Sequence, residues 1–371
     1  MKKSLLALAV LAVATSATAA TVYDKDGTSL KVGGRVQAVA FNGNFGKAGR
    51  DDASLKNSAR FNVAGTTKVN DAVSVFAFTE WEASNGNNEK GADNDFTARD
   101  QYVGADFGVF GKVQAGKSLN AIYDVQSATD VFEEVGSAQV QGDTNGDRRS
   151  GTFRYIYDNN GLYASASFQT AQDQVKVAGD KLDVENGFGF GLGYTFDNVV
   201  FGPLSVKAAY DYVKCQDDSD FIQTDEDGVI AGRAFDSFKN TAVSVAWGSD
   251  TGLYFAALYN VYKATFDNFT DDDDHGIYKT NPRTKVKGAE LVAGYGFDNG
   301  LSLTIGYHFK DEKEKYTGYT SSSDIARRVP VIANFQVAPT FKVWAEAEFD
   351  ANSNDSEDRG TLVAAGARYV F

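Results

Sequence analysis

The sequence is poor in the residues that most soluble enzymes depend on. In 371 residues it has one cysteine, four prolines, two histidines and a single methionine at position 1. The lone Cys215 excludes an internal disulfide. His275 and His308 give little support to metal-dependent hydrolysis or to Ser/His chemistry. No catalytic residue and no cofactor is expected. Past residue 20, no stretch approaches the ~20 apolar residues a membrane helix needs. Basic residues are also in deficit, 36 Lys+Arg against 50 Asp+Glu. That argues against nucleic acid as a partner, since neutralising phosphates takes clustered Lys and Arg.

The N-terminus has the pattern of an export signal. Lys2 and Lys3 precede a short apolar core, Leu5 to Ala14, and Ala17-Thr18-Ala19 supplies an A-x-A cleavage site. The expected organisation is a signal peptide over 1–19 and one domain over 20–371. Removal of residues 1–19 takes away two lysines and no acid, so the net charge moves from −14 to −16.

What the chain has in abundance is Gly (37), Phe (27) and Tyr (18), arranged with period two. From Phe341 to Phe349 one face reads Phe, Val, Ala, Ala, Phe and the other Lys, Trp, Glu, Glu. Leu301 to Lys310, Leu204 to Asp211 and Leu162 to Gln169 repeat the pattern. Alternation of this kind marks strands whose two faces meet different media. Strand-like segments fall near 29–42, 55–68, 71–83, 96–107, 110–118, 148–157, 161–171, 186–197, 202–215, 236–248, 251–263, 285–297, 300–312, 324–336, 339–351 and 360–371. That is 16, an even number. The 352 residues after position 19 allot 22 to each strand with its connection. Short connections, two of them ending in Asn-Gly (Asn160-Gly161 and Asn299-Gly300), alternate with long polar ones near 43–54, 84–95, 119–147, 172–185, 216–235, 264–284, 313–323 and 352–359. The expected fold is all-β, a 16-stranded antiparallel transmembrane barrel.

Several residues resemble a known family. The stretch Ala20-Thr21-Val22-Tyr23-Asp24-Lys25-Asp26-Gly27, the stretch Arg99-Asp100-Gln101-Tyr102-Val103-Gly104, Tyr123-Asp124 through Thr129-Asp130, and the terminal Phe371 are similar to enterobacterial-type general porins. The resemblance implies a homotrimer in the bacterial outer membrane, short turns on the periplasmic side and long loops outside. The third loop, here 119–147, would fold inward. It also implies a water-filled channel for small hydrophilic solutes and ions, not an enzyme. Alignment through Tyr123-Asp124 places the acidic side of a constriction on Asp130 and Glu134, with Glu133 an added carboxylate where the family has proline. The basic side falls on Arg35, Arg60, Arg99 and either Arg148 or Arg149, of which parity with the outward Phe153, Tyr155 and Tyr157 selects Arg148. Strand parity supports Arg35 and Arg60 independently. Arg99 breaks parity, because Asp100 would then point outward. Tyr369 and Phe371 would be read by the barrel-assembly machinery.

With the acidic excess, mild cation preference is expected. The alternatives are a substrate-selective oligosaccharide porin, with Tyr163, Trp344, Tyr254 and Tyr262 as lumen aromatics, or a barrel acting mainly as an adhesin or structural anchor. Outer-membrane lipid and lipopolysaccharide are expected neighbours. The run Asp271-Asp272-Asp273-Asp274 is a weak candidate for binding a divalent cation, alone or as a bridge to lipopolysaccharide; its spacing is not that of an EF-hand. Gly187, Gly189, Gly191 and Gly193 alternate with Phe188, Phe190 and Leu192, which marks a strand whose glycine face leaves room for something packed inside.

Overall fold

A computed structural model describes residues 19–42, 53–85, 96–134, 148–177, 180–216, 223–225, 228–230, 235–267, 269–271, 277–279, 282–351 and 361–371. The strands in chain order are β1 (Ala20–Lys25), β2 (Thr28–Phe41), β3 (Ser54–Lys68), β4 (Ser74–Asn85), β5 (Thr97–Asp106), β6 (Lys112–Leu119), β7 (Arg148–Asn159), β8 (Leu162–Gln169), β9 (Gln172–Val177), β10 (Asp180–Val199) and β11 (Gly202–Cys215). They continue with β12 (Gln223–Asp225), β13 (Gly228–Ile230), β14 (Phe235–Gly248), β15 (Gly252–Phe266), β16 (Phe269–Asp271), β17 (Ile277–Lys279), β18 (Arg283–Gly296), β19 (Leu301–Tyr316), β20 (Tyr319–Ala338), β21 (Phe341–Asp350) and β22 (Leu362–Val370). One helical turn, α1 (Tyr123–Gln126), lies in the third long connection.

Eighteen of these strands form one antiparallel sheet, and the pairs β12–β13 and β16–β17 form separate ribbons. Two rows of the sheet are each made of two segments. β8 and β9 both pair with β10. β22 and β1 both pair with β2, the first along Arg35–Phe41 and the second along Thr28–Val32. Eighteen strands therefore make 16 rows, and the last row closes on the first. Closure leaves no unpaired edge, which hydrocarbon would not tolerate. The C-terminal residue completes the seam, since the Phe371 N–H donates to the Gly34 carbonyl (3.0 Å) and the Gly34 N–H to that of Phe371 (2.8 Å).

Parity holds where it was read. On β10 Phe188, Phe190 and Leu192 face outward and are exposed, while the intervening glycines face in. On β21 Trp344, Glu346 and Glu348 are buried inward and Phe349 is exposed. Exposed aromatics such as Tyr194, Phe196, Tyr295, Phe297, Phe335 and Phe371 band the short-turn end, as expected of an interfacial girdle. Asn160 (φ 52°) and Gly161 (φ 79°) both have positive φ, as a tight two-residue hairpin requires. In the second Asn-Gly turn only Gly300 does.

Three expectations need correction. Residues 20–25 form a strand of their own, β1. Much of 172–185 and 313–323 is not loop: β9–β10 and β19–β20 carry the ladder on, the first with a buried apolar face of Val175, Leu182 and Val184 and an irregular register, the second with mostly polar side chains. The strand expected near 71–83 begins only at Ser74, after a turn over 69–73 in which the Asn70 side chain accepts from the N–H groups of Ala72 and Val73 (2.9 Å each).

Candidate functional site: a charged constriction inside the barrel

The described part of the third long connection runs inside the barrel against one wall. Ile122 and Val125 are fully buried against Ala209, Ala242 and Leu258, and Phe132 packs among Val292, Ile332 and Trp344. Each such side chain contributes up to about 1.5–3 kcal/mol of burial. Polar contacts fix the register. Gln126 donates to Asn260 (3.1 Å), the Tyr254 hydroxyl donates to the Ala128 carbonyl (2.6 Å), Thr129 bonds Glu290, and the Glu133 N–H donates to Glu346 (3.2 Å). Asp124 accepts from both Arg154 and Tyr163. Glycine makes the approach possible: a Cβ on Gly191 would touch the Ala121 carbonyl oxygen, and one on Gly306 would lie 3.1 Å from the Phe132 ring.

This packing consumes the aromatics considered for a sugar track. Tyr163 and Trp344 are 2% and 4% exposed, Tyr254 is tied to the loop, and Tyr262 packs against a separate cluster around Val213 and Phe238.

Across from the loop, β2 to β5 carry a row of charges. Arg35 and Arg60 are direct cross-strand partners, and Arg60 is paired in turn with Glu82. Arg60 Nε lies 2.9 Å from Glu82, while Arg99 lies 2.9 Å from Glu80 and 2.7 Å from Glu82. Like charges placed opposite each other destabilise a sheet, so the Arg35–Arg60 pair is a cost to folding. Arg35 has no ion-pair partner among the described residues, and the charges that act on it most are Arg60 and Arg368, then Glu82 and Glu133.

The parity conflict at Arg99 has a physical answer. The β4–β5 register shifts between Glu80↔Asp100 and Trp81↔Ala98, which leaves Arg99 as the extra residue of a β-bulge. Two residues oppose one, so Arg99 and Asp100 both turn inward. Asp100 is buried and receives Arg148 at 2.7 Å.

The sequence-chosen residues are thus distributed in two groups. Arg35, Arg60, Glu133 and Glu134 line one polar recess of about 240 Å³ together with Gln37, Lys56, Glu82 and Arg368. Gln37 donates to Glu134 (3.2 Å). Glu133 is held by Arg368 (2.5 Å) and Lys342. Asp130 instead accepts from the Tyr123 hydroxyl (2.8 Å), near enough to Arg148 and Arg99 for their charges to act on that hydroxyl. Burial raises the Glu134 carboxyl above its ordinary range. Burial also pushes Glu133 upward, but Lys342 and Arg368 more than reverse this and hold it below that range.

Sequence reasoning missed Lys56, Glu80, Glu82, Lys342 and Arg368. Inward parity on β4 and β21 was the available signal for Glu80, Glu82 and Lys342. Asp271 lies in β16, and Asp272, Asp273 and Asp274 lie outside the described residues, as does 135–147 of the loop.

Comparison with known proteins agrees with this geometry. A family model described as Gram-negative porin matches residues 6–355. An outer membrane porin PhoE of Klebsiella oxytoca is 28% identical over 380 residues, and an outer membrane porin protein OmpD of Citrobacter koseri is 30% identical over 392, each covering both chains in full. Among solved structures, Salmonella typhi OmpF in complex with daunomycin superposes with TM-score 0.74 at 23% identity, covering 95% of this chain and 100% of that one. An anion-selective porin from Comamonas acidovorans gives 0.64 at 17%, covering 93% and 100%.

Proposed function

The chain belongs to the Gram-negative porin family, and from that premise we infer that it is a general-diffusion channel of the outer membrane whose selectivity is set where the inward loop faces β2–β5. The observation that carries the second part is the shared recess in which Arg35 and Arg60 meet Glu133 and Glu134. Opposed basic and acidic groups set up a field across the passage. Screening acts over ~8 Å at physiological salt, so it is incomplete between groups that line one recess. A small solute with a dipole aligns in such a field, whereas an apolar one must displace water that the field orders.

Basic groups (Arg35, Lys56, Arg60, Arg99, Arg148, Lys342, Arg368) and acidic ones (Glu80, Glu82, Asp100, Asp130, Glu133, Glu134) about balance here. Mild cation preference would therefore come from the acidic connections rather than from the narrowest point. A sugar-selective channel is the weaker reading, because Tyr163, Trp344 and Tyr254 are committed to holding the loop. The remaining parts of the reading are removal of residues 1–19, recognition of Tyr369 and Phe371 during barrel assembly, and a homotrimer. A structural relative at 16% identity, OmpT of Vibrio cholerae, is described in a trimer form.

Planar-bilayer recording of the purified protein tests this. Ohmic current steps that close in threes, with a small cation-directed reversal potential in a salt gradient, are expected. Absence of conductance would refute the channel, and an anion-directed potential would refute the selectivity.

A further inference from the structure

The seam of the barrel is built differently from the rest of its wall. Neighbouring rows elsewhere follow one another in the chain, whereas β22 lies against β2 with no turn or loop between them. The two share a ladder only along Arg35–Phe41 of β2, while β3 pairs with all of Thr28–Phe41 on the other side. On the lipid face this ladder includes Ala38 with Ala367 and Ala40 with Ala365. Cross-strand side-chain pairs are the unit of sheet stabilisation, and an Ala–Ala pair is the reference against which gains are measured. The outer face of the seam therefore contributes little. Its ends are fastened. Phe371 bonds Gly34 through the backbone at one, and at the other the Asn42 side chain accepts from the Val363 N–H (2.9 Å) and donates to the Thr361 carbonyl (2.8 Å).

The middle of the seam is fastened from inside. Arg368 on β22 and Gln37 on β2 are direct partners, and Arg368 Nε donates to the Gln37 side chain (2.8 Å). The basic groups around them repel. Lys342 on β21 is the direct partner of Arg368 on its other side, a like-charged pair of the kind that destabilises a sheet. The charge of Arg368 also acts on Arg35 across the seam. Among the described residues, the acid that both Lys342 and Arg368 reach is Glu133, which accepts from Lys342 on Oε1 and from Arg368 on Oε2. Its neighbour Glu134 accepts from Gln37 on the far side of the seam (3.2 Å). Two consecutive loop residues thus touch β21, β22 and β2, although Glu133 precedes Lys342 and Arg368 by more than 200 positions.

We propose that the tip of the third connection is an internal clasp for the barrel seam, in which Glu133 and Glu134 hold β22 against β2 and slow the opening of the closed sheet there. The acids that narrow the lumen also offset a repulsion that the last two strands bring with them. Constriction and closure are then completed by the same contacts. The carboxylate at position 133 is the part the clasp depends on, because a neutral residue there leaves Lys342 and Arg368 facing each other without an acid. The clasp concerns how the barrel stays closed, and it holds whether or not solutes pass.

Unfolding rates of the full-length protein test this, in a Cys215→Ser background folded into lipid vesicles and transferred to concentrated urea. Ala38→Cys with Ala367→Cys places a disulfide on the lipid face of the seam, where direct antiparallel partners lie within bridging distance. Val245→Cys with Ala257→Cys places one between β14 and β15 instead. Glu133→Gln should speed unfolding about tenfold, within the range for groups that share one ion-pair network. Oxidising the seam disulfide should cancel that acceleration and reduction should restore it. The β14–β15 disulfide should leave it in place. Gln37→Leu removes no charge and should speed unfolding about threefold, the weight of one net hydrogen bond, with the same dependence on the seam disulfide. If Glu133→Gln does not fold, Gln37→Leu carries the comparison. Unfolding of both variants at the wild-type rate overturns the proposal. So does an acceleration that survives oxidation of the seam, or one that the β14–β15 disulfide cancels equally, since either makes the loop a general support of the wall.

Discussion

The two inner walls of the barrel treat charge differently. Behind the inward loop, Arg154 is matched to Asp124, Arg149 meets Asp211 through both terminal nitrogens (3.2 and 2.7 Å), and apolar side chains fill the gaps. Across the lumen, Arg35 and Arg60 stand opposite each other on neighbouring strands, and Arg35 has no ion-pair partner among the described residues. The first wall is arranged to hold a segment in place, and the buried Arg149 and Arg154 are each matched to a carboxylate there. The second pairs Arg60 and Arg99 with Glu82 and Glu80 but leaves Arg35 facing Arg60, at a cost in sheet stability.

The contrast breaks most severely at Asp124. Asp124→Ala leaves Arg154 buried without its carboxylate, a change that typically costs about 3–5 kcal/mol. Unfolding in detergent at graded temperature should show the loss, and single-channel records should become noisy as the loop loosens. Phe132→Ala comes next, with a cavity cost of about 3 kcal/mol. Its effect should fall on the loop, read as faster proteolysis within 119–147 while the barrel stays heat-resistant.

Smaller effects are expected on the open side. Glu133→Gln leaves Lys342 and Arg368 in excess. It should shift the cation/anion permeability ratio toward anions by up to about fivefold, the weight of the ~1 kcal/mol for unit charges 4 Å apart in water. Acidification sharpens the contrast between the two adjacent carboxyls. Glu134, raised by burial, loses its charge first as pH falls. Glu133, lowered overall by Lys342 and Arg368, loses it last. The stability signs are opposite as well. Glu133 stabilises the fold above the ordinary carboxylate range and loses that contribution as pH drops through its lowered value. Ionised Glu134 costs stability, and the cost disappears as pH drops through its raised value. Reversal potentials across pH should change in two steps, and Glu134→Gln should remove the upper one while altering stability by less than about 0.5 kcal/mol.

The barrel was legible because period two is imposed by lipid on one face and water on the other, as on β10 and β21. The loop tip was legible only through family likeness, since nothing in Asp130, Glu133 or Glu134 locally encodes an inward path. Arg99 was ambiguous because a bulge depends on how two strands align, and a single strand's sequence does not carry that register. Lys342 and Arg368 were overlooked because their importance comes from Glu133, more than 200 positions away in the chain. The β19–β20 extension escaped detection because its side chains are mostly polar while hydrogen bonding persists, and the β9–β10 extension because register shifts at Leu182/Val184 and Val184/Asn186 break the phase of its alternation.

The central claim is that position 134 lies on the wall of the conducting path. The chain's single cysteine, Cys215, is buried, so a Cys215→Ser background carrying Glu134→Cys presents one accessible thiol. Recording in planar bilayers while a bulky charged thiol reagent is added measures that position directly. The account predicts stepwise loss of current as each channel is modified, reversed on reduction. Complete modification of the thiol with unchanged conductance would contradict it.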